Sequence, residues 1–272
     1  MLFELALIAA AALAGLLGSM IGLGGGVFIV PLLTLLFGID IRLAVGASIV
    51  SVIATSCGAA PGLLRAKLVN IRLAVVLETA TVAGALAGVA VSGLVGTGTL
   101  YILFACVLFY SAGAMFFGKD KFQEQLEGSA ATGRFDGHYH DKRLARSVGY
   151  RVRALSLGIA LMWLAGVLSG LLGIGSGVLK VPAMDRVMGL PIRVSTATSN
   201  FMIGVTAAAG AGAYFARGDV QGPLAAPVAL GVFAGAWAGS RLVPSLKAST
   251  IRIVFSVVIA AVAVQMFLRG VG

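Results

Sequence analysis

Residues 15–31 read G-L-L-G-S-M-I-G-L-G-G-G-V-F-I-V-P, and residues 169–182 read S-G-L-L-G-I-G-S-G-V-L-K-V-P. At an offset of 151, with no gap, Gly22, Gly24, Gly26, Val27, Val30 and Pro31 meet Gly173, Gly175, Gly177, Val178, Val181 and Pro182. The same register carries Gly38, Ile41, Arg42, Ser48 and Thr55 onto Gly189, Ile192, Arg193, Ser199 and Thr206, and Gly84, Gly88 and Thr99 onto Gly235, Gly239 and Thr250. A register held this long predicts a duplication, with one unit over 1–117, its copy over 154–272 and a charged linker over 118–153.

The solvent of these units follows from composition. Of 272 residues, 59% are apolar and 11% charged, and the mean hydropathy is +1.04. Soluble domains run near 45–50% apolar and about 25% charged. A cytosolic enzyme, a disulfide scaffold and a disordered chain are thereby excluded, and a polytopic all-α membrane protein is predicted. The 38 glycines fit lipid-embedded helices, where small residues permit close approach, and Gly84/Gly88 and Gly235/Gly239 are GxxxG pairs. Such pairs serve packing within a protomer or a homodimer equally well.

Apolar runs long enough to span occur near 3–20, 43–64, 73–96, 99–117, 155–172, 194–216, 222–243 and 250–268. Two shorter runs, 27–37 and 178–190, follow the glycine turns. Eleven helical residues reach only ~17 Å of a ~30 Å hydrocarbon core. Eight long spans plus two short, broken or re-entrant helices are therefore expected, about five segments per copy. The N-terminus carries Glu4 and no basic leader, so the first run is expected to remain as a helix.

Charge orients the copies. The net charge of +10 is spread as an orientation signal, with eight Lys/Arg and five Asp/Glu in 118–153 and most other basic residues at the ends of runs. Nucleic-acid binding therefore receives no support. The loop RAKLVNIR (65–72) is basic, whereas its copy ARGDVQG (216–222) has no net charge. SGLVGTGT (92–99) is uncharged, whereas SRLVPSLKASTIR (240–252) is basic. Basic loops lie on the cytoplasmic side, so the copies are expected to be inverted, with the linker inside and both termini outside. The linker itself reads as a solvated loop, with a small ordered element as the alternative. His138 and His140 have no further His and no Cys in the linker to complete a metal site, and Cys57 and Cys106 read as small packing residues.

Inverted repeats with glycine-interrupted segments in matching positions point to a secondary transporter whose site lies where the interrupted helices meet. Glycine turns that feed helices expose backbone N–H groups to an anion. Gly24, Gly25 and Gly26, and Gly175, Ser176 and Gly177, are the candidate cradles. Ser48, Thr55, Ser199, Asn200 and Thr206 could line the site with neutral groups, or bond neighbouring helices. Ionisable candidates are Lys180, which could attract an anion or snorkel, and Glu78, a coupling carboxylate or a partner for Arg72. Arg42 and Arg193 sit at matching span ends and read mainly as interfacial anchors. No hydrolase, nucleotide-binding or metalloprotease motif occurs, so no catalysis, cofactor or metal is expected. A cation- or metal-linked permease using Glu78 and Asp185 is the alternative.

The two glycine motifs, with D-G-H-Y-H-D-K-R-L-A-R-S-V-G-Y-R-V (136–152) and S-T-A-T-S-N-F (195–201), resemble the TauE/SafE family of sulfite and organosulfonate exporters over essentially the whole chain. The resemblance implies a bacterial-type multi-pass carrier of the cytoplasmic (inner) membrane that exports sulfite, sulfoacetate or related sulfonates. In that family the second glycine motif often reads G-x-G-G-G. Here Ser176 replaces the middle glycine, keeping a backbone N–H and adding a hydroxyl.

Overall fold

The computed structural model describes residues 2–116, 133–141, 146–243 and 248–271. In the first copy α1 (Leu2–Ile21) leads into a short α2 (Gly26–Pro31), a π-helical turn π1 (Leu32–Leu36), α3 (Ile41–Arg65), α4 (Ile71–Ser92) and α5 (Thr97–Phe116). After strands β1 (Gly137–Asp141) and β2 (Arg146–Tyr150) come α6 (Leu155–Leu172), α7 (Gly177–Pro182), π2 (Ala183–Val187), α8 (Ile192–Ala216), α9 (Gly222–Leu242) and α10 (Ala248–Val271). Shifting α2, π1 and α3 by 151 gives the bounds of α7, π2 and α8, so the sequence register is also an element register.

The π turns have a local cause. A proline has no N–H and its ring crowds the carbonyl four residues back, so the helix widens past Pro31 and Pro182. Thr34 takes up the slack in π1, donating to the Val30 carbonyl at 2.9 Å, and the Arg269 guanidinium donates to the Thr34 carbonyl.

Among the described residues, five helices are long and apolar enough to cross a membrane: Phe3–Ile21, Ile41–Arg65, Ile71–Ser92, Leu155–Leu172 and Gly222–Leu242. Shorter apolar stretches lie at Gly26–Leu36, Gly98–Gly113 and Ser256–Gly270. The helix α8 has the length but not the apolarity, because S-T-A-T-S-N opens it; those six side chains are all buried against protein and face no lipid. Large side chains such as Leu13, Leu86, Trp163, Leu230 and Trp237 stand exposed on the outer surface, a coat that suits hydrocarbon and not water. Cys57 and Cys106 belong to that exposed surface, so the expectation that they fill packing gaps is corrected.

The main helix pairs cross between copies: α1 packs on α9, its counterpart α6 on α4, and α5 on α10. Glycines set the distance. A Cβ on Gly84 would lie 2.1 Å from the Trp163 carbonyl oxygen, and one on Gly235 would lie 1.9 Å from that of Ala12. Both GxxxG pairs are thus spent inside the protomer.

At the centre α3 and α8 run antiparallel. Ser56 donates to the Asn200 carbonyl near their middles, Gly46 near the start of α3 abuts Asp219 just past α8, and Asn70 beyond α3 meets Thr198 near the start of α8. Each glycine-turn segment is a hairpin that returns to the face where it began. The ring of Phe37, after π1, packs edge-on against Phe3 at the start of α1, with centroids 5.3 Å apart.

One part of the described chain is not helical. Antiparallel strands β1 and β2, with Gly137 opposite Tyr150 and Asp141 opposite Arg146, correct the solvated-loop reading for this part of the linker in favour of its alternative, a small ordered element beside the helical bundle. The hairpin is docked: Asn70 Nδ2 donates to the Phe135 carbonyl and to the Tyr150 hydroxyl at 2.8 and 3.1 Å, and Arg153 N donates to the Met188 carbonyl. Burial pushes the Tyr150 phenol up to about 12, so this contact keeps its neutral partner throughout the physiological range. Residues 117–132, 142–145 and 244–247, which include Lys247 of the basic loop, lie outside the described residues.

Candidate functional site

The two glycine turns meet each other. Gly24 lies against Ile203 and Val52, and Gly175 against the same Val52, near the middles of α8 and α3. Gly22, Gly24, Gly173 and Gly175 all have positive φ, between +64° and +84°, a conformation open mainly to glycine. Gly26 and Gly177 are required by space: a Cβ on Gly177 would stand 2.5 Å from the Gly22 carbonyl oxygen, and one on Gly26 would stand 2.9 Å from that of Ile174.

Serines lock the crossing. Ser48 donates to the Gly173 carbonyl at 2.8 Å, and its repeat mate Ser199 donates to the Gly22 carbonyl at 2.6 Å. Each satisfies the orphan end of a helix from the other copy. Thr196 similarly reaches the Ile21 carbonyl at 3.3 Å. Ser48 and Ser199 therefore act here as interhelical donors, and both cradles are shut in this state.

Where the copies differ, charge appears. In the first copy Gly25 N donates to Thr55 Oγ1 at 2.9 Å, and Thr55 donates on to the Ser51 carbonyl. In the second, Thr206 accepts a 2.8 Å hydrogen bond from Lys180 Nζ and donates to Glu78 Oε1, while Lys180 Nζ also donates to Glu78 Oε2 at 2.8 Å. Ser176 Oγ lies 3.5 Å from Thr206 Oγ1. Lys180 is completely buried and Glu78 is 8% exposed. Their repeat positions hold Ile29 and Ala229, so the first copy has no such pair. Lys180 does not snorkel, and Glu78 pairs with it rather than with Arg72.

An isolated charge in hydrocarbon is costly, and a pair is tolerated only when each member has its partners. Here both carboxylate oxygens accept from a donor, one from Lys180 and the other from Thr206. Two donors gripping a pair of oxygens is the geometry by which proteins hold a small oxyanion. Beside Thr206, a void of about 10 Å³ lined by Ser169, Gly170 and Gly175 has room for about one water.

The other candidates lie apart. Asn200 donates to the Ser19 carbonyl at 2.6 Å, and its Oδ1 is buried with no donor. An orphan acceptor repels an anion and suits a water or a protonated group instead. Arg42 lies exposed at the start of α3 and is not brought to the cluster, and Arg193 is buried at the start of α8. Asp185 is buried in π2.

A second feature escapes sequence reading. Arg42, Ser92, Tyr214, Arg217 and Asp219 line a polar cavity of about 320 Å³ at the end of the bundle opposite the linker. Arg217 stacks on the Tyr214 ring at 4.4 Å and donates to Ser92 Oγ at 2.8 Å. The Tyr214 hydroxyl donates to the Gly170 carbonyl at 2.7 Å, so Tyr214 stands between this cavity and the void beside Thr206. The sequence signals were Arg42, which reads there as an interfacial anchor, and Arg217 in a loop whose net charge is zero.

The comparisons agree with a membrane transporter. The chain is 26% identical over 266 residues, 95% of each chain, to "Probable membrane transporter protein YunE" of Bacillus subtilis (strain 168). It is 29% identical over 208 residues, 76% of this chain and 77% of the relative, to "Probable membrane transporter protein YdhB" of the same organism. No solved structure matches the chain. The family model "Sulfite exporter TauE/SafE" matches residues 7–266, nearly the whole chain, and with several apolar helices long enough to span, the chain belongs to that family of multi-pass membrane transporters.

Proposed function

We propose that the chain exports small sulfur oxyanions, such as sulfite, sulfoacetate or a related sulfonate, across the cytoplasmic membrane by alternating access. Lys180 and Thr206 hold the anion between two inverted halves, 1–117 and 154–272. The observation that carries this reading is the completely buried ammonium of Lys180 beside the glycine turn of α7, at the crossing of the two copies. Broken helices at a repeat interface are where secondary transporters bind cargo. In this reading the two glycine turns form the pivot that opens to admit it.

Several features support the inversion. The matched helices α3 and α8 are antiparallel, and Arg65, Lys67, Arg134, Arg151 and Arg153 gather at the linker end. At the opposite end Arg42 and Arg217 are offset by Asp40 and Asp219. Because α1 with α2–π1 returns to its starting face, each copy makes an odd number of crossings whether that hairpin spans or is re-entrant. The linker then lies in the cytoplasm and both termini outside.

The anion reading is favoured over a cation permease because both Glu78 oxygens already accept from donors. Purified protein in a thermal-shift series with sulfite, sulfate, thiosulfate, sulfoacetate and taurine tests it. A ligand at 100 times its Kd raises stability by about 2.7 kcal/mol. We expect one sulfur oxyanion to stand out and its effect to vanish in Lys180→Met. No response to any anion overturns the reading.

A further inference from the structure

The closed cluster already contains something shaped like the cargo. The Glu78 carboxylate lies across the two donors, Lys180 Nζ and Thr206 Oγ1, that the proposed function assigns to an oxyanion. The void of about 10 Å³ beside Thr206 has room for about one water and not for an oxyanion, so an anion gripped by both donors takes the place of the carboxylate.

Replacement has an electrostatic consequence. With Glu78 ionised, the pair is neutral. A monoanion bound to Lys180 while Glu78 stayed ionised would leave one net negative charge in a dry site, next to a displaced carboxylate with its donors taken. Two like charges at such a separation do not both persist in a low-dielectric interior. One proton on Glu78 restores neutrality.

We propose that Glu78 is a proton site that exchanges with the cargo: it leaves Lys180 and Thr206 as the anion arrives and binds one proton, so anion and proton cross together. No covalent bond other than the carboxyl O–H forms. The proton comes from water on the loading side and is returned when the anion departs and Glu78 closes on Lys180 again.

The surroundings keep the proton on this residue. The helix α6, packed along α4, carries no ionisable side chain. The helix α8 offers Thr206, with Arg193 thirteen residues before it and Tyr214 eight after, engaged with Gly170. From α7 comes Lys180 itself, and Asp185 and Arg186 follow in π2, five and six residues further along. In the second copy Ala229 occupies the position that matches Glu78, so the duplication supplies no second carboxylate of this kind.

The inference rests on the anion-carrier reading, and the experiment separates the two. Full-length protein is reconstituted into vesicles and given an outward gradient of sulfite, sulfoacetate or methanesulfonate, the last being ionised at every pH used. Anion flux and internal pH are recorded together. We expect about one proton per methanesulfonate, and flux that rises as the loading side is acidified. In Glu78→Gln, a permanently neutral isostere, we expect anion–anion exchange to continue with no proton movement and no response to a pH gradient. Anion flux without proton flux in the wild type overturns the proton site and leaves the carrier reading intact, even if the variant does not fold. Proton movement that persists in a folded Glu78→Gln also overturns it. Absence of flux for all three anions overturns both.

Discussion

Lys180 and Glu78 form a buried pair whose part in folding is separable from the transport role proposed for it. In Lys180→Met the Glu78 carboxylate loses one of its two donors inside the bundle, and removing one member of a buried pair costs about 3–5 kcal/mol. We expect thermal unfolding in detergent to show that loss. Replacing both, in Lys180→Met with Glu78→Gln, is expected to restore most of the stability, while anion binding stays lost. Stability that stayed low in the double variant would assign the loss to packing around Lys180 instead. Each residue stood out in the sequence as an ionisable group in an apolar run. Their pairing did not, because 102 positions separate them and nothing local links α4 to α7. Ser48 and Ser199 present the opposite case: their repeat register was plain, yet only the fold reveals that both hydroxyls end on glycine carbonyls of the other copy.

Helices are where the sequence spoke most clearly. The apolar runs and glycine turns mark element after element, and the 151-residue register recurs in the bounds of α2 and α7, π1 and π2, and α3 and α8. What stayed hidden needed tertiary contact. The hairpin of β1 and β2 depends on Asn70 and on burial of Tyr139 and Tyr150, which a charge-rich linker does not advertise. The α4–α6 crossing gives the sharpest test at this scale. Gly84 and Gly88 face the carbonyls of Trp163 and Val167, and Gly166 and Gly170 face those of Thr81 and Ala85. Gly84→Val would press a branched side chain into backbone, and overpacking costs about 1–3 kcal/mol even where side chains can yield. We expect a lower unfolding temperature and a lower yield of folded protein, against little change for Gly212→Ala, which has open space. Equal behaviour of the two variants would show that the helices can separate at no cost.

Across the whole molecule the copies are interlaced rather than side by side. The pairs α1–α9, α4–α6, α5–α10 and α3–α8 each join one copy to the other. A fragment of 1–117 alone would leave those surfaces without partners. We expect neither 1–117 nor 154–272 to accumulate when expressed singly, and both to be recovered together as one complex when co-expressed. Single cysteines at 136 and 219, in a background without Cys57 and Cys106, should react with an impermeant reagent from opposite sides of the membrane. Labelling of both from one side would overturn the inverted arrangement. Thr55 and Thr206 bear on what such a carrier does with its symmetry. Were both bound only to backbone, the two open forms would be equivalent views of one object, with equal affinity and equal occupancy. An ammonium and a carboxylate on one side of the crossing remove that equivalence. In the proposed carrier, cargo would then meet unequal grips from within and from without, and detailed balance requires the loaded and empty carriers to differ in their preference between the two orientations. In that reading a difference of two side chains, Lys180 against Ile29 and Glu78 against Ala229, decides how far the cargo shifts the balance between the two orientations.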